Sequence, residues 1–66
     1  MNLLTALLKL HELQLLAQEK GKSLIITNSK NYLFYALFVD QTLKCQVMIV
    51  DYNEKELTEL ENLINQ

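Results

Sequence analysis

Apolar residues crowd the first positions of the chain at helical spacing. Leu3, Leu4, Leu7, Leu8, His11 and Leu15 recur every three or four residues, which predicts a helix over residues 2–20. Asn2 can cap its start through the side-chain oxygen. Gly21, the one glycine in the chain, stands where a left-handed residue would end it, with Lys20 and Lys22 beside the negative end of the helix dipole. Three β-type segments follow: 23–27 (SLIIT), 32–39 (YLFYALFV) and 43–50 (LKCQVMIV). Turns are predicted at Asn28–Asn31, where asparagine tolerates positive φ, and at Asp40–Thr42. In the third segment, Leu43, Cys45, Val47 and Ile49 would share one face, with Lys44, Gln46, Met48 and Val50 on the other. A capping box, Asn53-x-x-Glu56, opens a second helix in which Leu57, Leu60, Leu63 and Ile64 form the apolar stripe. The pattern predicts one small α+β domain over residues 1–66. Its order is α-β-β-β-α, a three-stranded antiparallel meander packed with an amino-terminal and a carboxyl-terminal helix.

Two surfaces carry more apolar area than one docking contact uses. On a helical wheel the apolar arc of the first helix runs from Leu13 round to Leu8 and spans roughly 220°, whereas a helix on a sheet needs little more than about 100°. Gln14 and Gln18 alone interrupt it. The second helix has a stripe of about 120°, enough for one contact. In the middle strand, Tyr32, Phe34, Ala36 and Phe38 point one way and Leu33, Tyr35, Leu37 and Val39 the other, so both faces call for cover. The surplus is absorbed within the monomer, with one helix on each sheet face, or it meets another chain, most simply in a C2 homodimer. Leu3, Leu7, Leu10 and Leu13 on the helix and Leu33, Tyr35 and Leu37 on the sheet are the candidate interface.

Composition makes association more pressing. Half of the 66 residues are apolar, with no proline, which excludes disorder. A chain this short buries only roughly 60% of its unfolded surface, and with a single cysteine no internal disulfide can reinforce it. No segment has the charged start and unbroken apolar stretch of a signal peptide. The longest apolar run, Tyr32–Val39, is far short of the roughly 20 residues of a membrane helix. With Cys45 the only thiol, the expected location is the cytoplasm.

Charge narrows the chemistry. The net charge is −2, and there is no arginine, so bidentate phosphate or guanine recognition is absent. Six lysines and six asparagines without arginine suit an A/T-rich coding sequence, as in a low-GC bacterium or its phage. Residues 1–33 hold four lysines against two glutamates, and residues 34–66 hold two lysines against six acids. An acidic set (Asp51, Glu54, Glu56, Glu59 and Glu61) could occupy a basic groove of a target protein, the alternative reading. Tyr32, Phe34 and Lys44 could stack and hold single-stranded nucleic acid, but dispersed lysines on an acidic domain form no phosphate-binding stripe. A chain with one histidine, His11, and one cysteine offers no catalytic constellation and no metal set. His11 is expected as a core or interface residue, and Cys45 as a buried, inert thiol. No cofactor or small-molecule substrate is implied. The sequence thus points to a non-catalytic protein–protein interaction module (regulator, adaptor or inhibitor) acting as a homodimer.

Overall fold

The computed structural model describes residues 3–51 and 53–66. It contains α1 (Leu3–Glu19), β1 (Ser23–Asn28), β2 (Leu33–Val39), β3 (Thr42–Ile49) and α2 (Glu54–Asn65). The strands form one antiparallel sheet in the order β1-β2-β3, the expected α+β meander. The predicted Asn2 cap lies outside the described residues.

Local chemistry sets the element ends. At the end of α1, Gly21 adopts φ +75°. Its N–H donates to Gln18 O at 3.1 Å while Lys22 N–H donates to Ala17 O at 2.8 Å, the paired bonds of a Schellman motif. Between β1 and β2, Ser29 N–H donates to Tyr32 O at 2.9 Å, closing the asparagine-flanked turn. The β2–β3 turn is tighter than the sequence suggests. Asp40 (φ 52°) and Gln41 (φ 65°) are both left-handed, as a two-residue type I′ hairpin requires, and Thr42 already pairs with Val39. Asn53 caps α2, its Oδ1 accepting from Lys55 N–H at 3.0 Å. The reciprocal half of the expected capping box is not made, because the Glu56 side chain turns beneath the helix instead.

That hairpin forces a correction in β3. Leu37 pairs with Cys45 but Phe38 pairs with Leu43, so Lys44 has no partner on β2 and forms a β-bulge. The extra residue inverts the alternation. Leu43 therefore leaves the face of Cys45, Val47 and Ile49 and lies exposed beside Phe38.

Both helices pack on one face of the sheet. Its inward rows are Leu24–Leu37–Cys45, Ile26–Tyr35–Val47 and Asn28–Leu33–Ile49. Over them lie Ala6, Leu10, Leu13 and Ala17 of α1 and Leu57, Leu60 and Ile64 of α2, in a single core. Each large side chain buried there contributes about 1.5–3 kcal/mol. Polar contacts fix the helices in place. Gln14 Nε2 donates to Leu24 O at 2.9 Å, so the amide that interrupts the α1 arc covers a carbonyl on the edge of β1. Lys22 Nζ donates to Ile64 O and, at 2.7 Å, to Gln66 O, capping the carboxyl end of α2. Lys9 joins the two helices through Glu61 at 3.7 Å.

Candidate functional site

The helix placement decides which apolar surfaces remain outside. Of the candidate interface residues, Leu10, Leu13, Leu33, Tyr35 and Leu37 lie in the chain's own core, and Leu3 and Leu7 pack half-buried against it. The five core residues seat α1 and the sheet on one another and present no surface to a partner, while Leu3 and Leu7 remain partly exposed. Equal hydrophobicity on the two sides of β2 hid this outcome from the sequence.

The face left open carries the rows Ser23–Phe38–Leu43, Ile25–Ala36–Gln46 and Thr27–Phe34–Met48. Ile25 is 52% exposed and Met48 57% exposed, with Leu43 and Val50 also in solvent. Phe34 and Phe38 are half-buried, and Ala36 between them is 5% exposed. At one end the surface continues into an open depression lined by Gly21, Ser23, Ile25, Phe38, Asp40 and Gln41.

The α1 arc divides cleanly. Leu13, Ala6, Ala17 and Leu10 dock, while Leu4, Leu8 and Leu15 stand about 60% exposed on the other side of the helix. His11 lies exposed with them, not in the core.

The acidic set does not form one surface. Glu61 is engaged by Lys9, and Glu56 is turned inward, its Oε2 sealed from solvent with no hydrogen-bond partner among the described residues. Asp51, Glu54 and Glu59 are exposed. Of the set considered for single-stranded nucleic acid, Phe34 lies half-buried on the open face, Tyr32 is half-buried just before β2, and Lys44 is the exposed bulge residue of β3.

Beside Glu56 is a feature that sequence reasoning missed. Tyr35, Cys45, Glu56 and Glu59 line a depression of about 260 Å³ between β3 and α2. Burial, and then the neighbouring Cys45, Glu56 and Glu59, push the Tyr35 phenol up to about 12, so it stays neutral in ordinary buffers. Burial also raises the Cys45 thiol, against a smaller opposing effect of a backbone hydrogen bond with Leu37. Cys45 is thus held as the protonated thiol, the weakly nucleophilic form. The spacing Glu56-x-x-Glu59 places both carboxylates on one side of α2, but only the position of α2 over β3 brings them to Tyr35 and Cys45.

Among the described residues, no group of three or more His, Cys, Asp or Glu side chains is arranged to hold a metal ion, and no helix is long and apolar enough to cross a membrane. Comparison with protein-family models, with curated proteins and with solved structures found no match to the chain.

Proposed function

We propose that the protein is a non-catalytic interaction module that pairs with a second copy of itself through the open face of its sheet. The observation that carries this reading is the placement of both helices on one face, which leaves Ile25, Phe34, Phe38, Leu43 and Met48 on the other. Contiguous apolar surface of this kind marks an interface. Two sheets stacked about 10 Å apart would bury it symmetrically.

The sheet edges favour the face over edge-to-edge pairing. Gln14 occupies a carbonyl on the β1 edge, and the β3 edge carries the bulge and its lysine, Lys44. Both devices blunt strand addition. Pairing would also add buried apolar area to a core that is small for independent stability.

Size-exclusion chromatography with light scattering tests this. The expected species is a dimer at micromolar concentration that becomes monomeric and stays folded with Phe38→Glu. A wild-type mass of 7.7 kDa across that range, or a Phe38→Glu variant that is still dimeric, would overturn the reading. Leu8→Glu serves as the comparison, because loss of the dimer there would move the interface to α1. Leu10→Glu and Leu13→Glu are uninformative here, since a charge at either position disrupts the core.

A further inference from the structure

The depression at one end of the open face is built from side chains of the sheet and from two turns. Ser23, Ile25 and Phe38 share that face, and beyond their row Gly21 and the turn residues Asp40 and Gln41 line its end. Its volume, about 520 Å³, falls inside the roughly 300–1,000 Å³ of ordinary ligand sites. The β2–β3 turn is where backbone and residue type disagree. A type I′ hairpin favours glycine at its second central position, since a β-carbon is crowded in the left-handed conformation. Gly21 reaches φ 75° without that crowding, and Asp40 is a short polar residue that tolerates φ 52°. Gln41 holds φ 65° with a long side chain. Residues kept in such conformations against their own preference gather at binding sites, and this one lines the depression.

Asp40 is the one charged residue among those lining the depression. The lysines closest in sequence lie on the other side of the sheet. Lys22 Nζ is held by the Ile64 and Gln66 carbonyls, and Lys44 lines a separate hollow with Leu37 and Leu63. A carboxylate, an amide and a hydroxyl beside a benzene ring call for a flat cation with N–H donors in its plane. Guanidinium matches each part, because its donors form a planar fork that fits a carboxylate and its face stacks on an aromatic ring. Ammonium is a compact, strongly hydrated point charge and lacks the flat face. The chain contains no arginine, so a second copy cannot supply the group. We propose that this depression takes an arginine side chain of a different protein, its guanidinium paired with Asp40, bonded to the Gln41 amide and lying on Phe38. The site is formed within one chain and goes beyond self-pairing, although it shares Ile25 and Phe38 with the pairing surface.

Titration of the full chain with Nα-acetyl-arginine methylamide, followed by two-dimensional ¹⁵N NMR at constant ionic strength, tests the site. Saturable shifts are expected at Ser23, Ile25, Phe38 and Gln41, and the lysine counterpart should bind more weakly. Asp40→Asn keeps the turn, since asparagine is favoured there. It should weaken binding about tenfold, as expected for one lost charge-assisted bond. Gln41→Gly should raise the urea midpoint and weaken arginine binding together. A glutamine with no part in binding would give the first effect without the second. Met48→Lys interrupts the pairing surface in its far row, Thr27–Phe34–Met48, and leaves the depression intact. Binding by that variant at least as tight as the wild type supports the site whether or not the wild type is a dimer. The proposal fails if neither the wild type nor Met48→Lys responds saturably, or if the lysine derivative binds as tightly as the arginine one. It also fails if Asp40→Asn or Gln41→Gly binds as tightly as the wild type, or if Gln41→Gly is no more resistant to urea.

Discussion

The two faces of β2 are built from the same seven-residue strand and have opposite fates. Leu33, Tyr35 and Leu37 are sealed beneath two helices, whereas Phe34 and Phe38 form the middle of a surface that no described element covers. Hydrophobicity does not separate them. What separates them is the joint demand of α1 and α2, whose apolar residues meet in one core and so must share one side. The contrast shows that an apolar face reports a need for cover, while the surrounding topology decides whether the chain supplies it.

Paired substitutions should break that symmetry most strongly. Leu37→Ala empties a fully buried position and should cost about 2–5 kcal/mol in urea unfolding. Met48→Lys, on the open face, should shift the stability of the monomer by no more than about 0.5 kcal/mol. Equal losses at the two sites would mean that the faces are not distinct in the folded monomer.

Alkali should loosen the covered face next. The Tyr35 phenol titrates near 10 when unfolded and about 12 when folded. The neutral form is therefore favoured by folding, and its contribution is complete below pH 10 and lost as pH rises through 12. The loss is on the order of 2–3 kcal/mol, and Tyr35→Phe should remove this part of the pH dependence. Denaturant midpoints from pH 9 to 12 measure it.

The smallest of these effects concerns how α2 is kept on the covered side. Lys22→Met removes the ammonium that caps its last carbonyls and should cost about 1–2 kcal/mol. Hydrogen exchange should show faster opening of α2 than of β2 in that variant. Uniform acceleration across both elements would show that Lys22 supports the whole core and not one helix end.

The elements themselves were legible because local residues set them. Gly21 stops α1, Asn53 starts α2, and the strand composition of 23–27 and 32–39 needs no tertiary information. The side of the sheet that the helices take was not legible, because Leu33, Tyr35 and Leu37 read no differently from Phe34, Ala36 and Phe38. For that reason the expected interface fell largely on residues that turned out to be core. Leu43 was misplaced for a related reason. Nothing in LKCQV announces a bulge, which arises where a two-residue turn at Asp40–Gln41 must be reconciled with the pairing of Leu37 to Cys45. The Tyr35–Glu56–Glu59 grouping joins residues from two elements and exists only once α2 is laid over β3. In the sequence Glu56 reads as half of a capping box.

The bulge at Lys44 has a consequence for how the molecule can assemble. Removing that one residue would leave every remaining residue of β3 on its present face, since Leu43 already pairs with Phe38 and Cys45 with Leu37. It would, however, straighten the edge and strip it of its charge. Face-to-face pairing consumes a surface and stops at two copies. Joining through straight edges leaves a fresh edge after every addition, so it has no natural end and leads towards fibres. With Gln14 already holding a carbonyl on the β1 edge, the bulge lysine blunts the other edge, so both sides of the sheet resist open-ended growth.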